Sequence, residues 1–210
     1  MSYIGDNAIE VSPVASDDNN LGPLAALILA ELPGCEDLLV RLKLGAALRE
    51  FCRETNACVV KMPAKKIKDS HTFYDFALVP PPPDGMVVGS VLSVCDGNGY
   101  DVSFTVIGDK ISFNSYTPSS DTVTVKFSVY PKAGGEACPE WFVERYAEAI
   151  TAGAMHKLLS MTNKPWSDPN RAALYGAEYA DAISEASYRS IGSQLAGGAE
   201  SAIPQGGIFM

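Results

Sequence analysis

Residues 122–161 read TVTVKFSVYPKAGGEACPEWFVERYAEAITAGAMHKLLSM, and the hydrophobic period changes partway along them. Val123, Val125, Phe127 and Val129 alternate with Thr124, Lys126, Ser128 and Tyr130, the two-residue period of a half-buried strand. From Glu140 the spacing becomes four. Phe142, Tyr146, Ile150, Ala154 and Leu158 recur along one side of a helix expected to run to Met161, roughly 22 residues and about 33 Å. Ala147, Ala149, Ala152, Gly153 and Ala154 are unusually small, which predicts close approach of another helix. A chain that passes from strand to helix in this way is α+β.

Upstream, residues 57–121 are rich in Val, Ser, Thr and aromatics, punctuated by turn residues. Their patterning predicts strands over 57–62, 72–79, 87–95, 101–107 and 110–116, with 122–130 as the sixth. Gly108-Asp109 predicts a tight hairpin and Asp96-Gly97-Asn98-Gly99 a longer one. The expected form is a small antiparallel sandwich or barrel. Before it, Leu44, Leu48 and Phe51 fall at i, i+4 and i+7, with Val40 one turn earlier, opposite Arg41, Lys43, Arg49, Glu50 and Arg53. That is an amphipathic helix over 36–54, opened by Glu36 and Asp37 where the helix dipole favours negative charge. A shorter helix is expected over 21–33, with Pro23 in its first turn and Gly34 as its stop.

Downstream, Thr162-Asn163-Lys164-Pro165-Trp166 breaks the chain, and Ser167 or Asp168 caps a last helix that begins with Pro169. It is expected to run to about Ser193, with Tyr175, Tyr179, Ile183 and Ala186 on one face. The predicted organisation is thus a polar N-terminal arm (1–20), a discontinuous bundle of about four helices (21–56 and 138–195), an inserted β domain (57–137) and a Gly-rich C-terminal tail (196–210). Arm and tail are read as extended.

The bulk properties narrow the function. Of 210 residues 47% are hydrophobic, enough for a buried core. The longest clean apolar run, Leu24 to Ala30, is too short to span a bilayer, and the opening residues MSYIGD carry no secretory signal. A soluble protein made in a cytoplasm, with no membrane partner, is the expectation. The net charge of −9 argues against a protein that grips DNA through its phosphates. Cys35, Cys52, Cys58, Cys95 and Cys138 contain no C-x-x-C and read as buried free thiols.

Two segments resemble the signatures of tailed-bacteriophage head–tail adaptor, or connector, proteins. The first is Leu32-Pro33-Gly34-Cys35-Glu36 leading into Ala46-Ala47-Leu48-Arg49-Glu50-Phe51-Cys52; the second runs from Pro139 to Ala154, through Leu158-Leu159-Ser160-Met161, to the turn Lys164–Pro169. The β region between them resembles nothing beyond the habit of such adaptors to carry an insertion there. The resemblance implies a non-enzymatic homo-oligomer, usually a ring of about twelve copies, in the neck of the virion. Its partners would be the portal protein above and a nozzle or tail-completion protein below, with genomic DNA passing non-specifically through the lumen. Such adaptors reach the portal with their C-terminal segments, which makes Ile203, Pro204, Ile208, Phe209 and Met210 the candidate portal-binding residues. Their composition agrees: glycines give reach, and large apolar side chains give anchors that water disfavours.

Other features read more plainly. Asp96–Asp101 departs from a calcium loop at its fifth, sixth and twelfth positions, where Tyr100, Asp101 and Ile107 stand, so a turn is expected. His71 and His156 have no acidic or cysteine neighbour at ligand spacing, and no nucleophile elbow or phosphate loop occurs. No catalytic residue, metal or cofactor is expected. Lys65, Lys66 and Lys68 form the basic cluster; the expectation is an exposed loop, with contact to DNA or an acidic partner as the functional alternative. Pro80–Pro83 reads as a stiff loop of polyproline type. Two rival functions are a tail-tube or tail-completion component further from the portal, and a carbohydrate-binding module using Tyr74, Tyr100, Tyr116 and Tyr130 as a stacking surface.

Overall fold

The amphipathic helix read at 36–54 organises the structure. The computed structural model describes residues 21–61, 65–66, 73–75, 82, 84–107, 110–113 and 122–199. Four helices, α1 (Gly22–Glu31), α2 (Asp37–Thr55), α3 (Glu140–Leu159) and α4 (Pro169–Ala199), combine with small antiparallel sheets. Val40, Leu44, Leu48 and Phe51 of α2 are all fully buried, as their spacing requires. α2 ends on Asn56 in the left-handed region (φ 50°), while the Thr55 hydroxyl donates to the Phe51 carbonyl at 2.7 Å.

Helices from both ends of the chain pack on α2. Phe51 lies 4.9 Å from the Tyr146 ring and 6.1 and 6.2 Å from those of Phe142 and Tyr179, an aromatic knot joining α2, α3 and α4. Tyr146 leaves helical geometry (φ −117°, ψ 19°), so α3 is kinked at the residue that stacks on Phe51. The small residues of α3 admit α4 as expected: a Cβ on Gly153 would fall 2.7 Å from the Tyr179 ring. The reverse also holds, since a Cβ on Gly176 of α4 would fall 2.8 Å from His156 of α3. Asp168, not Ser167, caps α4, its carboxylate accepting the Asn170 and Arg171 N–H groups at 3.1 Å each. α4 continues to Ala199, past the expected end near Ser193 and into the segment read as the tail.

Strand β7 (Thr122–Pro131) is the spine of the larger sheet. β4 (Met86–Asp96) pairs along one side of it, and β1 (Val59–Lys61) and β2 (Lys65–Lys66) pair with different stretches of the other, all antiparallel. A smaller sheet has the order β3 (Phe73–Asp75), β6 (Lys110–Phe113), β5 (Phe104–Ile107). Ile107 pairs with Lys110, the register that a two-residue hairpin demands. Pairing among the described residues does not close a barrel. Lys65 and Lys66, expected in a loop, instead pair with Val123 and Thr122. β4 is irregular between Val88 and Val91 because Gly89 passes over Ser128, where a Cβ would fall 2.5 Å from the hydroxyl.

The sheet is bonded to the helices. Arg49 donates to the Pro131 carbonyl at 2.9 Å, and the Arg49 and Arg53 guanidinium groups sit 5.0 and 6.0 Å from the Tyr130 ring centre. Ser128 donates to the Asn56 side chain at 2.9 Å and accepts the Ser90 N–H at 2.8 Å. Buried side chains of α1–α4, β4, β6 and β7 belong to one hydrophobic cluster.

Candidate functional site

The residues expected to bind a partner fall largely beyond what the structure describes. Ile203, Pro204, Ile208, Phe209 and Met210 lie outside the described residues, as do Lys68, His71 and the arm 1–20. Lys65 and Lys66 are placed by backbone alone, on the β7 edge that also carries β1.

Apolar surface on the helices is the feature that sequence reading missed. Leu27 of α1 and Leu38 and Leu42 of α2 are each more than half exposed, Leu38 at 68%. Leu38 and Leu42 are one turn apart, beside a small concavity of about 100 Å³ completed by Gly45, Gly134 and Glu136. On α4, Leu174 and Tyr188 are likewise exposed, Tyr188 at 80%. A signal was present in α1, whose sequence GPLAALILAE is apolar all round and so cannot hide every face against α2. Between α3 and α4 runs an open groove of about 320 Å³ floored by alanines and edged by Arg145, Glu148, Glu178 and Arg189. It presents both signs of charge.

The histidine and acidic features have structural partners. His156 shares a 2.8 Å hydrogen bond through Nδ1 with the Ala172 carbonyl, tying α3 to α4. Buried Asp96 accepts the Asn98 and Tyr100 N–H groups at 2.9 and 3.0 Å, and Gly99 takes φ +87°. This is an Asx-type turn, consistent with the hairpin reading over the calcium one. Tyr130, one of four tyrosines considered for glycan stacking, has its ring occupied by the two arginines of α2; Tyr100 is exposed on the 96–101 turn.

The cysteines are the larger surprise. All five are described as free thiols, with Cys95 and Cys138 only half-buried, and the sulfurs of Cys52, Cys58 and Cys138 all lie within 4.8 Å of one another. Cys52 is in the last turns of α2, Cys58 just precedes β1, and Cys138 just precedes α3. Cys52 and Cys58 are fully buried and Cys138 is half-buried. Hydrogen bonds from Cys138 and Cys52 hold the Cys58 thiol well below the usual range, while bonds to Cys52 and Cys58, with burial, push Cys138 up. Cys52 and Cys58 are six positions apart and Cys58 and Cys138 eighty, a spacing that no sequence motif captures.

The chain matches no family model and no curated protein.

Proposed function

We propose that this chain is a non-enzymatic assembly protein, the adaptor ring that joins the head of a tailed bacteriophage to its tail. The observation that carries the reading is the exposed apolar surface on two different parts of the helical body. Leu27, Leu38 and Leu42 form one set and Leu174 and Tyr188 another. Burying such side chains is worth roughly 1.5–3 kcal/mol each, and exposed apolar side chains on different helices of one chain suit a heterologous contact between copies. Head-to-tail contacts of this kind generate rings when the rotation closes. The similarity of segments 32–52 and 139–169 to adaptor signatures supports the same conclusion, with about twelve copies as the family habit. The net charge of −9 per chain suits a collar that lets DNA pass without holding it.

Within this reading the two sheets stack as a sandwich, supported by buried Ile111 and Phe113 in one sheet and Val123, Val125 and Phe127 in the other. The segment beyond α4 is the connector to the portal through Ile203, Pro204, Ile208, Phe209 and Met210, and the virion neck is the site of action. No substrate is turned over in this reading.

Assembly on isolated portal rings tests the proposal. A Leu38→Asp/Leu42→Asp double variant should keep its helix content yet fail to form rings. Protein lacking residues 203–210 should fold normally yet not attach. Normal attachment by both variants would refute this assignment of surfaces.

A further inference from the structure

The chain crosses between its helices and its sheets twice, from α2 into β1 and from β7 into α3. Cys52, Cys58 and Cys138 stand at these two crossings, with their sulfurs converging. We propose that the three form a binding site for one thiophilic closed-shell cation, zinc(II) or copper(I), held by three thiolate sulfurs. The inference is independent of the adaptor reading.

Geometry comes first. Tetrahedral zinc–thiolate bonds of about 2.3 Å place sulfurs about 3.8 Å apart. Sulfurs that already lie within 4.8 Å need to close by an ångström at most. Among the described residues this is the one group of three or more cysteine, histidine or carboxylate side chains whose donor atoms converge. The donors are all soft, which selects zinc and copper(I) over magnesium, calcium or manganese.

Two of the ligands are also anchored by backbone hydrogen bonds. The Cys52 carbonyl accepts the Asn56 N–H at 3.1 Å in the helix cap, and the Cys58 carbonyl accepts the Val129 N–H at 2.8 Å from β7. Beside Cys138, Ala137 packs so closely on Gly85 that a Cβ there would fall 2.7 Å away. Donors on such supports are set before the ion arrives. Each thiol still protonated releases its proton to solvent as its sulfur–metal bond forms, and no electron is transferred. The half-buried Cys138 corner is the side from which an ion enters and from which zinc(II) takes a fourth, solvent-derived ligand. Once bound, the ion ties both crossings together.

Reduced, metal-free full-length protein is titrated with cobalt(II) as a spectroscopic probe. It is then titrated with zinc(II) and, separately, copper(I) against a chromophoric chelator. The expected result is one ion per chain with thiolate-to-cobalt charge-transfer bands, displacement of cobalt by zinc or copper, and a rise in the thermal midpoint. Which of the two binds more tightly identifies the ion. Cys58→Ser should lose stoichiometric binding, whereas Cys35→Ser and Cys95→Ser should keep it. Because Cys58 is fully buried, Cys138→Ser serves as the second variant, with circular dichroism establishing that it folds. Failure of reduced wild-type protein to bind any of the three ions at one per chain, or unchanged binding by folded Cys138→Ser, would overturn the site.

Discussion

Tyr179 passes between two helices that leave no slack around it. Its ring lies against Gly153 of α3, and its hydroxyl donates to the Ala47 carbonyl of α2 at 2.7 Å. Gly153→Ala puts a methyl group into that contact, where the neighbour is a rigid aromatic ring. It should lower stability by about 1–3 kcal/mol, the cost of overpacking, read as a lower denaturant midpoint with unchanged slope. Tyr179→Phe keeps the packing and loses one hydrogen bond, about 0.5–1.5 kcal/mol. Burial, with the charge of Glu50 adding to it, raises the Tyr179 hydroxyl above its ordinary range. A folded-state value above the unfolded one means that this contribution is full below pH about 10 and is lost as pH rises further. Wild-type stability measured by denaturation should therefore fall on the alkaline side, and Tyr179→Phe should show a shallower fall. Tyr179 and the small α3 residues were legible because a helix repeats its neighbours every turn. The cysteine cluster was not, because its members meet only after the β insertion has been folded back.

The 96–101 hairpin is held at element scale by one buried carboxylate. Asp96→Ala removes the acceptor for two backbone N–H groups and should cost about 1–3 kcal/mol; Asp96→Asn, which retains an acceptor oxygen, should cost less. Millimolar calcium should leave the wild-type thermal midpoint where it is, since Asp96 accepts the turn's own amides. Element types were readable wherever the period was strong. The alternation at 122–130 became β7, and the four-residue spacing after Glu140 became α3. Ends and edges were less readable. Lys65–Lys66 looked like loop from its charge, but charged residues suit the rim of a sheet, and pairing with β7 decides the matter. Gly197 and Gly198 were read as part of a flexible tail, yet the 31-residue α4 extends through them at about 1 kcal/mol apiece. Gly89 was read simply as part of a strand; only its passage over Ser128 explains the irregular register.

For the whole molecule, buried side chains of the helices and the sheets belong to one hydrophobic cluster. Exposed leucines on α1 and α2, and Leu174 and Tyr188 on α4, are the side chains that the proposed ring would bury between copies. Helical periodicity reports which side of a helix faces its own core, so the exposure of Leu38 and Leu42 on α2 was not legible, whereas the apolar composition of α1 foreshadowed that of Leu27. The most direct test is electron microscopy of the full-length chain mixed with isolated portal rings. The account predicts a closed ring of identical copies, about twelve, stacked coaxially on the portal around an open channel. A chain that stays monomeric in the presence of the portal, or that binds it without closing a ring, would contradict it.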